Sequence, residues 1–125
     1  LTPQSIHELG GYRVQGRTEE TGRRLVEDAR ALDEAGCFSI VLEAIPWQLG
    51  KEITESVGIP TIGIGAGPHC DGQVLVINDI TGYVDGPLAK FVRRYGDARK
   101  VVAEAAEGFV SDVKSGTYPD LDESY

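Results

Sequence analysis

Glu43 directly follows the apolar run Phe38-Ser39-Ile40-Val41-Leu42 and precedes Ala44-Ile45-Pro46, so it falls where a buried strand hands over to its loop. In α/β barrels that is the catalytic end. A carboxylate at the rim of an apolar mouth loses part of its hydration, which makes it a better proton acceptor near neutral pH. Pairing with an arginine, or capping a helix, are the structural alternatives for the same residue. Gly63-Ile64-Gly65-Ala66-Gly67 permits positive φ and close backbone approach, and its amides could cradle an anion. Its spacing matches neither the dinucleotide fingerprint nor the P-loop, no lysine follows, and the expected role is a tight turn shaping a pocket.

His69, Cys70 and Asp71 are all metal-capable types, but adjacent residues rarely converge on one ion and the chain offers no matching pair elsewhere. Cys37 follows a helix-stopping glycine and reads as a small buried hydrophobe, not a nucleophile. His7 has no evident partner. Arg13 and Arg17 are free to meet an acidic substrate or a neighbouring subunit, although solvated loop charges are the commoner case.

The elements that must position these groups are legible in the apolar spacing. Thr18 to Gly36 reads as a helix, with Leu25, Ala29, Leu32 and Ala35 on one face, capping chemistry at Thr18, Glu20 and Thr21, and Gly36 as its stop. Phe38 to Leu42 is a buried strand. Pro46 opens a second helix whose stripe of Leu49, Ile53 and Val57 runs to Gly58. A second strand spans Ile59 to Ile64 and a third Gln73 to Ile77. Helical pattern resumes over Pro87–Tyr95 and Ala98–Lys114. The order is read as β-α-β-α-β-α, which implies parallel strands joined by right-handed crossovers. A whole (β/α)₈ barrel takes roughly 250 residues, so 125 residues supply about four of its eight units.

Composition narrows the partners. With 41% apolar residues the chain can build a packed core, and a net charge of −8 argues against nucleic acid, whose binding needs clustered cations. Part of the acidic excess is the closing stretch 120–125, read as a solvated tail behind a single domain at 1–119. No run approaches the roughly 18 apolar residues of a membrane span, and the expected location is the cytoplasm. Two cysteines are too few for a disulfide scaffold. The chain contains no methionine and opens at Leu1, which is read as the mark of a fragment.

Taken together, several blocks resemble, in the same order, the ketopantoate hydroxymethyltransferases. They are Leu1-Thr2-Pro3-Gln4, Gly10-Gly11-Tyr12-Arg13-Val14-Gln15-Gly16-Arg17, Val41-Leu42-Glu43-Ala44-Ile45-Pro46, Ile59 through Gly67, and Asp71-Gly72-Gln73-Val74-Leu75-Val76. Phe91, Tyr95, Val113-Lys114-Ser115-Gly116 and Tyr118-Pro119 fit the family's end, and the match runs to about Pro119.

The resemblance implies the C-terminal half of a (β/α)₈ barrel of the phosphoenolpyruvate-mutase and isocitrate-lyase type. It implies transfer of a hydroxymethyl group from 5,10-methylenetetrahydrofolate to 3-methyl-2-oxobutanoate with Mg²⁺, giving 2-dehydropantoate on the way to pantothenate and coenzyme A. The family's proton-accepting glutamate falls on Glu43, and the family's oligomers imply a homo-oligomer. Its metal-binding carboxylates and its oxo-acid-binding Ser, Asp and Lys belong to the N-terminal half, so none is carried over and the chain alone is expected to be inactive. Two rival readings remain: a 2-oxo-acid lyase of the same barrel superfamily, and a non-catalytic half-barrel that binds a phosphate or pairs through open sheet edges.

Overall fold

A computed structural model describes residues 13–125. Leu1 to Gln4, His7 and Gly10 to Tyr12, singled out in the sequence, lie outside the described residues. The chain divides into two compact units, Leu1–Leu75 and Val76–Tyr125.

In the first unit, α1 (Glu19–Glu34) begins with a reciprocal cap. The Thr18 hydroxyl accepts from the Thr21 N–H at 3.2 Å, and the Thr21 hydroxyl accepts from the Thr18 N–H at 3.1 Å. Two otherwise orphaned donors are satisfied in this way, with threonine in the place glutamate usually takes. Gly36, at φ 85°, turns the chain out of the helix as expected. Strand β1 (Ile40–Glu43) follows, then α2 (Trp47–Ser56) and β2 (Thr61–Ile64). The Gly58 N–H donates to Asp33 Oδ2 at 2.7 Å and ties the end of α2 to the end of α1.

β1 and β2 pair in parallel, with Ile40 opposite Thr61 and Glu43 opposite Ile64, and β3 (Gly72–Gln73) adds to the far side of β2, also in parallel. Along β1, Ile40 and Leu42 are buried while Val41 is exposed and Glu43 half-buried. That alternation follows the pleat. One face of the sheet meets the helices: Ile40 and Leu42 join Val26 and Ala29 of α1 and Leu49 and Ile53 of α2 in the core. The other face carries Val41 and Glu43, and in register with them Ile62 and Ile64.

Two sequence readings are corrected in this unit. Phe38 is 90% exposed and the strand begins only at Ile40, because the segment Cys37–Ser39 is still leaving α1: the Cys37 N–H bonds back to the Leu32 carbonyl at 3.1 Å. The expected alternation also fails between β2 and β3, where residues 65–71 return the chain to the start of the sheet with no helix. Short strands make this possible: β2 is four residues long, roughly 10 Å at 3.3 Å per residue, a span that seven extended residues cover.

The second unit holds α3 (Ile77–Ile80) and α4 (Ala98–Ser115). α4 is capped by the Asp97 side chain, which accepts from the Lys100 N–H at 3.1 Å, and it ends at Gly116 with φ 76°. Its extent agrees with the apolar spacing. The expected third strand at Gln73–Ile77 shortens to two residues because the chain coils into α3, where the Ile80 N–H bonds to the Val76 carbonyl. The expected helix at Pro87–Tyr95 is absent. Only a single turn forms there, the Tyr95 N–H donates to the Ile80 carbonyl at 2.8 Å, and the Arg94 guanidinium donates to the Val84 carbonyl at 2.8 Å. The Tyr95 N–H, a donor that a helix ending here would have used, goes to a non-local acceptor, and the Arg94 side chain ties the same segment to Val84.

Candidate functional site

Glu43 is the last residue of β1, at the carboxyl end of two parallel strands. Its backbone is pinned on both sides. The strand register fixes it opposite Ile64, and the next residue, Ala44, continues the ladder by donating its N–H to the Ile64 carbonyl at 2.9 Å. Ala44 then leaves the strand at φ 51°, in the left-handed region. Its carbonyl accepts from the Gln15 N–H at 3.0 Å, so the segment ahead of α1 is brought to this end of the sheet. The Arg13–Arg17 stretch and the Val-Leu-Glu block, far apart in sequence, therefore meet at this end of the sheet.

The loop after β2 closes the same end of the fold. Gly65 and Gly67 adopt φ 68° and 86°, the positive values that the sequence anticipates for a tight turn. Ala66 is fully buried, and its carbonyl lies so close to Gly50 of α2 that a side chain there would collide with backbone. Gly67 is seated against Trp47, the first residue of α2, and the Gln73 side chain donates to the Gly67 carbonyl at 3.0 Å.

The three metal-capable neighbours go different ways. The His69 ring lies 5.6 Å from the Trp47 ring, centroid to centroid. Cys70 packs partly buried against the core, and its Sγ lies beside Gly63. Asp71 turns to the opposite end of the sheet, where its Oδ2 accepts from the Thr61 N–H at 2.8 Å and from the Thr61 hydroxyl at 3.0 Å. Thr61 is fully buried, and its hydroxyl lies 2.8 Å from that of Thr54 on α2. Nothing in sequence spacing flags this clasp, since a threonine and an aspartate ten residues apart carry no motif. Cys37 and Cys70 are both half-buried free thiols, and Arg13 and Arg17 are exposed.

Asp71 makes one expectation testable. The hydrogen bond from the Thr61 N–H, then that from the Thr61 hydroxyl, hold its carboxyl below the ordinary value of 3.8. A depressed folded-state value means that the ionised group stabilises the fold above its ordinary pKa, and that this contribution is lost as pH falls through the lowered value. Urea midpoints taken between about pH 6 and pH 2 should fall more steeply for the parent chain than for Asp71→Asn, the gap between them closing toward the acid end. Parallel pH profiles would show that the clasp contributes nothing.

A groove lies elsewhere, between α1 and α2 on the helix layer, with a volume of about 670 Å³. Arg17, Arg23 and Arg30 there are balanced by Glu19, Glu27 and Glu52, and Glu43 is not part of its lining. Chemistry favours the sheet's carboxyl end over that groove, because only there does a half-buried carboxylate share a face with apolar side chains at a fixed backbone position. Among the described residues no three His, Cys, Asp or Glu side chains come together as a metal ion would require. Nor, among them, is any helix long and apolar enough to cross a membrane.

Comparison with known proteins bears on the same segments. The family model described as ketopantoate hydroxymethyltransferase matches residues 1–121. The chain is 56% identical over 125 residues to 3-methyl-2-oxobutanoate hydroxymethyltransferase of Geobacter metallireducens, covering 100% of this chain and 47% of that protein. It is 58% identical over 119 residues to the protein of that name from Geobacter sulfurreducens, covering 95% of this chain and 45% of the relative. A Methylobacterium relative of the same name is 53% identical over 125 residues, with 44% of its length covered. The chain thus spans about half the length of the curated relatives it matches.

Proposed function

Because the chain belongs to the ketopantoate hydroxymethyltransferase family, we propose that it forms the C-terminal half of a (β/α)₈ barrel that transfers a hydroxymethyl group from 5,10-methylenetetrahydrofolate to 3-methyl-2-oxobutanoate. Glu43 is the proton acceptor in this reading. The observation that carries it is the place of Glu43: the terminal residue of a parallel strand, on the sheet face away from the described helices of its unit, with apolar neighbours in register. In a closed barrel that face is the interior, and its carboxyl end is where substrates bind.

The chemistry asks little of one carboxylate. The hydrogen on C3 of the 2-oxo acid is acidified by the adjacent carbonyl, and Glu43 takes it. Water cleaves both carbon–nitrogen bonds of the folate's methylene bridge, so that tetrahydrofolate leaves and a formaldehyde-level carbon remains; the enolate carbon attacks that carbon, and the alkoxide so formed takes back the proton from Glu43 to give 2-dehydropantoate. A rigid strand end favours such a step, because a base held within reach of one hydrogen spares the entropy of finding it. Mg²⁺ is the family's expected ion, with its ligands in the half that this chain does not supply, and the described residues bring no three metal-capable side chains together to hold it. Small molecules as the only substrates, assembly into a homo-oligomer and a cytoplasmic location complete the reading. The first draws support from the net charge of −8.

Reconstitution tests the whole. The 125-residue chain, the part of the Geobacter metallireducens protein that it does not match, and a chimera of the two are assayed for folate-dependent consumption of 3-methyl-2-oxobutanoate, with gel filtration alongside. Turnover is expected from the chimera and not from either part. A folded but inactive chimera would speak for a non-catalytic half-barrel, and full turnover by the chain alone would refute the division of the site.

A further inference from the structure

From the aromatic side chains at the carboxyl end of the sheet we propose that Trp47 is the platform on which the ring system of the folate stacks. The inference rests on the reading of the chain as half of a folate-dependent transferase, and goes beyond it by naming what holds the carbon donor.

The chemistry sets the requirement. Once both carbon–nitrogen bonds of the methylene bridge are cleaved, the freed carbon is a small electrophile that is lost to water unless the enolate stands within about 3.5 Å of it. The folate must therefore be held at the same mouth as Glu43. Its methylene carbon bridges a nitrogen of the pterin and the nitrogen of the aminobenzoyl group, so flat aromatic surface lies close to the reacting atom on either side. A rim that grips such a molecule needs a flat face of its own, because stacking holds a ring without a directed charge.

Trp47 meets that requirement by position. It opens α2 directly after the turn at Ala44–Pro46, four residues beyond Glu43, so that the two Cα atoms stand at most roughly 14 Å apart. Of the other aromatic side chains described in the first unit, Phe38 precedes β1 at the opposite end of the sheet, and His69 lies against Trp47 itself, the ring centroids 5.6 Å apart with an interplanar angle of 41°.

Packing alone does not account for a tryptophan here. The residue type is highly buried on average, yet Trp47 is 51% exposed, while Ile45 and Leu49, two positions to either side, belong to the core. Its base is nonetheless held. Gly67 is seated against the Cα and Cβ of Trp47, and the Gln73 side chain fixes that loop by donating to the Gly67 carbonyl at 3.0 Å. A ring on so fixed a base, with His69 beside it, loses little freedom when a ligand stacks on it.

The test separates donor binding from enolisation, with tetrahydrofolate as the probe. In the chimera described above, Trp47→Phe keeps a ring, whereas Trp47→Leu removes it and retains the Cβ against which Gly67 packs. Trp47→Leu is expected to weaken tetrahydrofolate binding, measured by calorimetry, and to raise KM for 5,10-methylenetetrahydrofolate, each by about 10-fold or more, the scale of one lost stacking contact, with Trp47→Phe within about 3-fold of the parent. Exchange of the C3 hydrogen of 3-methyl-2-oxobutanoate for solvent deuterium asks for Glu43 and no folate, and is expected to stay within about 3-fold in both variants. Should Trp47→Leu not fold, Trp47→Ala decides. Parental tetrahydrofolate affinity in the ringless variant would overturn the proposal. So would a loss of exchange as large as the loss of binding, which would make Trp47 a support of the mouth and not a face for the donor. Either result, obtained with a parent chimera that binds tetrahydrofolate, sinks this inference alone, whereas a parent chimera that binds none sinks the reading beneath it.

Discussion

Replacing Glu43 with glutamine in the chimera should lower turnover of 3-methyl-2-oxobutanoate by about 10²-fold or more, with little change in KM. Glutamine has the length and planarity of glutamate, so the strand, its register and the shape of the mouth survive, and only the capacity to take a proton is removed. A general base contributes about 10² to 10⁴ in rate, and its loss appears in kcat because the interaction is made in the transition state. The unchanged element is as informative as the lost one. Urea unfolding of the variant, run alongside, separates loss of the proton acceptor from loss of the fold, since Glu43 is half-buried and not part of the helix-side core. Turnover within a few-fold of the parent would remove Glu43 from the mechanism, whatever its place in the fold.

Gly67→Ala should destabilise the 125-residue chain by about 3 kcal/mol. Two penalties act together. At φ 86° a side chain meets its own backbone, worth roughly 1–2 kcal/mol, and the new methyl would also strike the Cα and Cβ of Trp47, where the first turn of α2 cannot retreat without disturbing Leu49 beneath it. Gly36 provides the control. It has nearly the same φ, 85°, but open space where its Cβ would stand, so Gly36→Ala should cost only about 1 kcal/mol. Urea midpoints of the two variants measure the difference directly. Equal losses would mean that the seat of Gly67 on Trp47 contributes nothing, and that the mouth loop is held by its turn alone.

Much of the first unit was readable before any coordinates. Thr18 and Gly36 bracket α1, Pro46 opens α2 one residue early, and the placement of Glu43 at a strand end follows from four strand residues that close on a charge and then a proline. These are local signals: caps, breakers and apolar period act within a few residues of one another. The same local logic erred where distant groups competed. Leu88, Ala89, Phe91 and Val92 have the spacing of a helix, yet Tyr95 bonds to Ile80 and Arg94 to Val84, and the segment stays irregular. Phe38 has the character of a core strand residue, yet it precedes the point at which β1 finds β2.

The candidate site divides along the same line. The amino-acid order alone determined which residue places a carboxylate at a strand end and which glycines must turn. Tertiary structure decided everything that depends on partners from elsewhere in the chain. It put Glu43 on the face away from the helices, sent Asp71 to Thr61 and His69 to Trp47, and turned Ala44 into the left-handed region between Ile64 and Gln15. Backbone preference alone would have kept that alanine out of positive φ. Two hydrogen bonds to residues 20 and 29 positions away outweigh a penalty of about 1 kcal/mol, and no window of neighbouring sequence contains either bond.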